Sequence, residues 1–167
     1  MRPLDGLLAS LLILGLAAGA YWLARPVETL SGPARVIDGD TIELAGQSLR
    51  LAGLDAPELN QTCERGALAY RCGETARDAL RALARADALT CRIEGRDRYG
   101  RGLARCEAGG VDLGASLVRR GLAVAYGSYA AEEAEARAGG LGVWAGPFER
   151  PADWRRNHPR QAAGPPS

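Results

Sequence analysis

Residues 34–58 read ARVIDGDTIELAGQSLRLAGLDAPE, and the fold is decided there. Ala34 to Leu44 predicts two strand pieces around an Asp-Gly turn. Ala45-Gly46-Gln47 is a second turn, and Ser48 to Leu54 is a third strand piece. The same stretch carries Asp40, Arg50, Asp55 and Glu58 among residues that otherwise belong in a core. Charges so spaced on a half-buried sheet need a reason.

Downstream, Ala56 to Cys72 reads as a loop and Glu74 to Asp87 as a helix. Ala76, Leu80, Leu83 and Ala84 share one face of that helix, with Arg77, Arg81 and Arg85 turned away. Leu89 to Ile93 and Leu103 to Cys106 predict an antiparallel pair joined by EGRDRYGRG. Asp112 caps a short helix running through Arg120, with Leu113, Leu117 and Val118 inward and Gly121 ending it. Tyr129 to Ala138 is a third helix, stopped by Gly139-Gly140. Strands grouped first and then mixed with helices predict an α+β domain with a small barrel. Five short strands and three helices fit an oligonucleotide/oligosaccharide-binding (OB) barrel as one candidate.

The chain has 167 residues, 25% of them charged, and a formal net charge of +1. There is thus no global basic field of the kind that announces nucleic acid. All 21 basic residues are arginine, which binds phosphate in a bidentate way that lysine cannot. The one histidine, His158, lies in the C-terminal segment. That argues against histidine general acid/base catalysis, Ser-His-Asp triads and histidine-rich zinc sites. Chemistry must rest on carboxylates, arginines, tyrosines, cysteines or a hard metal.

Leu7 to Ala24 is almost wholly apolar, and at ~1.5 Å rise per residue it could just span a bilayer. Ala18-Gly19-Ala20 is a signal-peptide cleavage pattern, while Tyr21-Trp22 suits an uncleaved anchor at a membrane interface. Residues 1–25 are therefore a signal peptide or a signal anchor, and either places the rest outside the cytoplasm. The even set Cys63, Cys72, Cys91 and Cys106 agrees with that compartment and reads as two disulfides. Three pairings are open; locality favours Cys63 with Cys72 and Cys91 with Cys106. Residues 26–33 read as a linker, 34–146 as the folded domain, and 147–167 as an irregular Pro- and Arg-rich tail. In this last part of the chain Trp144, Phe148 and Trp154 are docking candidates.

Asp40 and Asp55 are hard oxygen ligands near the ends of neighbouring strand pieces. If those strands pair, the two carboxylates converge, and Ca²⁺ or Mg²⁺ is the natural occupant. Asp-Gly and Asp-x-Pro are also ordinary turn chemistry, so each alone reads more readily as a turn than as a ligand. Arg50 projects from a strand, and Arg101 sits between two glycines that permit close approach to a ligand. Glu58 follows Pro57, whose fixed φ stiffens its presentation. Two metal ligands, two arginines and a spare carboxylate are what metal-assisted phosphodiester hydrolysis needs.

VIDGDTIEL, LRLAGLDAPE, DRYGRGLAR and SLVRRGLAVAY together resemble the successive signature segments of the staphylococcal (thermonuclease) nuclease family. The resemblance covers residues 34–144. It implies a five-stranded OB-fold barrel with three helices, and a Ca²⁺ held by Asp40, Asp55 and the backbone carbonyl of Ala56. Arg50 and Arg101 match the family's phosphate-binding arginines, Glu58 the carboxylate that handles the attacking water, and Tyr99 and Tyr126 its nucleotide-contacting tyrosines.

The chain departs from the lysine-rich, basic members of the family, and Cys63 and Cys72 replace a lysine-rich loop. The expectation is an exported or membrane-anchored, monomeric, Ca²⁺-dependent endonuclease. It would act on DNA and RNA and leave 3′-phosphate ends. The alternative is a non-catalytic OB-fold module that binds nucleic acid or protein.

Overall fold

The burial pattern of the longest strand explains the barrel. In β8 (Leu89–Arg96), Leu89, Cys91 and Ile93 are buried while Thr90, Arg92 and Glu94 face out. That is the period-2 alternation of a sheet with one wet face. The computed structural model describes residues 12–16, 19, 27–85 and 89–159. Of the apolar segment at 7–24, only residues 12–16 and 19 are described, and these are helical and exposed. Among the described residues, no helix is long and apolar enough to cross a membrane.

The remaining barrel strands are β1 (Thr29–Ser31), β2 (Ala34–Val36), β3 (Thr41–Leu44), β4 (Gln47–Leu51) and β9 (Gly102–Ala108). β2, β3 and β4 form an antiparallel meander, β4 then runs parallel to β9, and β9 pairs antiparallel with β8. β1 pairs with β8, and β2 with β3. Since β1 and β2 are successive pieces of one strand bent at Gly32-Pro33, that strand closes the five-stranded circuit. This is the OB arrangement, and the fold is α+β as expected. The segment read as a linker at 26–33 needs correction. Thr29–Ser31 is a strand of the barrel, with Leu30 packed against the core. Three residues ending at a Gly-Pro turn were too short to show a period.

The core joins Ile42, Leu44, Leu49, Leu51, Leu54 and Leu89 to the inner faces of two helices. α1 (Cys72–Leu83) buries Ala76 and Leu80; α2 (Leu113–Arg119) buries Leu113, Leu117 and Val118. The Asp112 side chain accepts the Ala115 amide, so the expected cap is present, and Gly121 ends the helix region at φ 65°. α1 starts two residues before the expected Glu74; of its expected end at Asp87, residues 86 and 87 lie outside the described residues. Cys91 and Cys106 are directly opposed on β8 and β9 and form a disulfide inside the barrel. Cys63 pairs with Cys72, tying the hairpin β6 (Cys63–Arg65) and β7 (Leu68–Tyr70) to the start of α1.

The C-terminal segment is the second correction. α3 (Ala130–Ala138) and a short 3₁₀ turn (Gly142–Ala145) are followed by a further helix, α4 (Pro151–Asn157). Pro151 opens α4 at a position where a missing N–H costs nothing, and Pro151 and Trp154 are buried. Residues 151–157 are thus a docked helix and not an irregular tail. Seven residues with one buried aromatic gave too little periodicity to read.

Gly73 shows how closely the helix start approaches the loop before it. A Cβ built there would lie 1.8 Å from the Glu58 carbonyl oxygen. Gly73→Ala is expected to cost at least ~2 kcal/mol, because backbone atoms cannot move aside as a side chain can. Urea unfolding of the two proteins measures this.

Candidate active site

Strand geometry delivers the first group. Leu49 and Leu51 of β4 point into the core, so Arg50 between them points out, half-buried, above the barrel rim. A turn at Ala52-Gly53 leads into β5 (Leu54–Asp55), which is held by β10 (Val124–Ala125). Asp40 arrives from the other side, just before β3. The Leu51 amide donates to the Asp40 carbonyl at 2.8 Å and fixes that approach. Gly39 makes it possible: a Cβ there would meet the Ala56 Cβ at 2.7 Å and the Ala76 Cβ at 2.9 Å.

Asp40 and Asp55 meet at one atom. Arg50 Nη2 lies 2.6 Å from Asp40 Oδ2 and 2.6 Å from Asp55 Oδ1. Both carboxylates are buried, at 4% and 6% exposure. The Thr41 hydroxyl donates to Asp40 Oδ1 and the Ala56 amide to Asp40 Oδ2. Burial still pushes the Asp40 carboxyl up to about 7. The charge of Arg50 and the Ala56 amide pull it down; the negative charges of Asp38 and Asp55 add to the rise.

Glu58 stands at the exit of β5 on a clamped loop. Its amide donates to Gln61 Oε1 at 3.1 Å, and the Gln61 amide returns a bond to the Glu58 carbonyl at 2.7 Å. Gln61 is fully buried, and its Nε2 donates to the Glu149 carbonyl at 2.6 Å, just before α4. Arg101 lies at the tip of the β8–β9 connection. Its Nε is 2.7 Å from Asp97 Oδ2, and its amide donates to Asp97 Oδ1. Desolvation raises the Asp97 carboxyl, but the Arg101 side chain and the Tyr99 and Arg101 amides outweigh it and hold it below the usual carboxylate range.

These groups line one open cleft of about 970 Å³. Asp40, Arg50, Asp55, Ala56 and Glu58 form its floor, Arg101 and Tyr99 one wall, and Tyr126 another part of the rim. Tyr99 and Tyr126 are exposed, at 68% and 75%, as a stacking surface for a planar ligand would be. Sequence reasoning missed one residue of the cleft and one that braces it. Arg155 of α4 enters the cleft, with Nη1 3.0 Å from Asp55 Oδ1 and 2.8 Å from Glu58 Oε1, and Nη2 3.0 Å from Asp55 Oδ2. Gln61 was the other. No local pattern marks either, since both act across about a hundred or ninety residues of chain.

The donor set suits a hard cation. Two buried carboxylates converge, and the cleft as a whole is lined by five carboxylates (Asp38, Asp40, Asp55, Glu58 and Asp97) and four guanidiniums (Arg50, Arg98, Arg101 and Arg155). Among the described residues, no three carboxylate, thiolate or imidazole side chains gather into a cage. Backbone carbonyls and water would have to complete the coordination, as they commonly do for Ca²⁺.

The description "Staphylococcal nuclease homologue" belongs to a family model that matches residues 48–146. A Rhizobium meliloti protein named "Succinoglycan biosynthesis protein ExoI" is 41% identical over 86% of this chain and 75% of its own length. A Haemophilus influenzae protein named "Uncharacterized endonuclease" is 30% identical over 73% of this chain and 70% of its own. The "Probable staphylococcal-like nuclease CAN1" of rice is 29% identical over 71% of this chain, which spans 35% of the rice protein.

Gln61→Ala is expected to cost ~2 kcal/mol, because the part-buried Glu58 amide and Glu149 carbonyl lose their partner. Chemical denaturation of the purified variant tests it.

Proposed function

The chain belongs to the staphylococcal nuclease homologue family, and from that premise we propose a Ca²⁺-dependent endonuclease that hydrolyses phosphodiesters in DNA and RNA. The reading rests on one observation: Asp40, Arg50, Asp55, Glu58 and Arg101 line a single cleft, with two exposed tyrosines beside them. Asp40, Asp55 and the Ala56 carbonyl would hold the ion. When bound, it supplies Lewis-acid polarisation and charge neutralisation.

The protein's own groups do the rest. Glu58 lies on the cleft floor, where its carboxylate can accept the proton of an attacking water. Arg50 and Arg101 can donate to the phosphoryl oxygens as charge builds on them, after exchanging part of their present carboxylate contacts. Tyr99 and Tyr126 offer faces for bases, and the open cleft suits a strand entering from either side, hence an endonuclease. Release of the 5′-oxygen leaves a 3′-phosphate end.

The two disulfides and the apolar segment at 7–24 support a place outside the cytoplasm, secreted or anchored, where millimolar calcium is ordinary. The protein would act there as a monomer. A non-catalytic binding module remains the competing reading, and loss of a catalytic side chain would favour it; all five are present.

Cleavage of single- and double-stranded DNA and RNA, with end-group analysis, tests the proposal. Glu58→Ala and Arg101→Ala are each expected to lower turnover at least ~10²-fold without unfolding the chain. Near wild-type cleavage by Arg101→Ala would remove that residue from the mechanism. Chelation of divalent ions is expected to abolish cleavage and calcium to restore it; saturable binding without product would favour the module.

A further inference from the structure

From beyond the matched region, which ends at residue 146, Arg155 reaches back into the site. Arg155 bridges Asp55 and Glu58 with a single planar group: both Asp55 oxygens and one Glu58 oxygen lie within 3.0 Å of its terminal nitrogens. We propose that Arg155 is a positioning residue for the hydrolysis, fixing the Glu58 carboxylate relative to Asp55, so that helix α4 is part of the active site. The proposal rests on the nuclease reading above.

Three observations carry it. The first is the shape of the contact. A guanidinium is rigid and planar, so engaging two carboxylates at once sets their mutual orientation, which a point charge would not do. Arg155 makes two hydrogen bonds to Asp55 and one to Glu58.

The second is the anchorage of α4. Pro151 and Trp154 are buried, the Trp154 and His158 rings stack at 4.8 Å, and the Glu149 carbonyl is held by buried Gln61. Gln61 also holds the Glu58 amide, so the backbone of Glu58 and the base of α4 share one side chain. Arg155 therefore projects from a platform registered to the very residue it touches.

The third is which carboxylate Arg155 meets. Arg50 pairs with Asp40 and Asp55 and Arg101 with Asp97, whereas among the described residues Arg155 is the guanidinium that contacts the Glu58 carboxylate.

Steady-state kinetics on DNA with the full chain and variants of Arg155 tests this. Arg155→Ala and the near-isosteric Arg155→Gln are expected to lower kcat ~10- to 100-fold, with KM within about twofold of wild type. Arg155→Lys recovers only part of the loss, because an ammonium is not a planar fork. Arg156→Ala, on the exposed side of α4 and paired with Asp153, is expected to change neither constant. The second readout needs neither metal nor turnover: amide hydrogen exchange of the calcium-free chain. Peptides covering residues 58–62 are expected to exchange roughly tenfold faster in Arg155→Gln, with β8 and β9 unchanged.

A kcat within twofold of wild type in both neutral variants would overturn the proposal. So would a loss confined to KM, which would make Arg155 a substrate contact, or exchange at 58–62 equal to wild type. If the wild-type chain cleaves no nucleic acid, the nuclease reading falls and kcat is uninformative; the exchange comparison then decides alone whether Arg155 holds Glu58.

Discussion

The Nη2 atom of Arg50 sits 2.6 Å from an oxygen of Asp40 and 2.6 Å from an oxygen of Asp55, and much of the structure serves that meeting. Two buried carboxylates do not approach one another without a counter-charge, because desolvation and mutual repulsion both oppose ionisation. The barrel makes the approach possible. β3 and β4 pair antiparallel, which sets Thr41 opposite Arg50, and Gly39 lets the Asp40 loop lie flat against Ala56 and Ala76. Arg50 then satisfies both carboxylates in part. Asp40 remains pushed up to about 7, so its burial is not fully offset by the groups around it. A site with unspent negative charge is poised for a further cation.

The opposite demand falls on Glu58, which must stay in place without being pinned by a metal. Its loop is held from several directions. The carbonyl of Glu58 accepts the Gln61 amide and packs against Gly73; its amide donates to Gln61; its carboxylate meets Arg155. The Cys63–Cys72 disulfide closes the far end of the same loop onto α1. A loop with these restraints behaves as part of the scaffold, which is what a preorganised site requires. Here a covalent link adds to the restraint.

Much of this was legible in the chain before any coordinates. Leu49 and Leu51 flanking Arg50 state that the arginine faces away from the core, and Pro57 states that Glu58 leaves the strand stiffly. Asp112 before an apolar triplet marked α2, and four cysteines with local spacing marked two bridges. The missed features share a physical cause. Thr29–Ser31 is held by β8, more than fifty residues away, and its own side chains carry no period. α4 has one buried aromatic, and its role depends on Arg155 reaching Asp55 across 100 residues. Gln61 looked like a loop amide because its burial comes from the C-terminal segment packing over it. Local pattern reports local packing; contacts that the C-terminus brings back to the rim leave no trace in it.

The charge balance ties the site to the composition. With a net charge of +1, the chain has little far field with which to draw in a polyanion. Its cleft lining sets five carboxylates against four guanidiniums, so it offers a polyanion no net positive field of its own. On the proposed reading, Asp40 and Asp55 would hold a divalent cation, whose charge would offset theirs beside the phosphate and let Arg50 exchange a carboxylate contact for a phosphoryl oxygen. Metal dependence and substrate affinity would then be one property. Tyr99, Tyr126 and Arg101 line the same cleft and would supply what steering there is. The same logic would make arginine the suitable cation here: Arg50 and Arg101 would each trade a carboxylate partner for a phosphate, and a planar donor fork fits both.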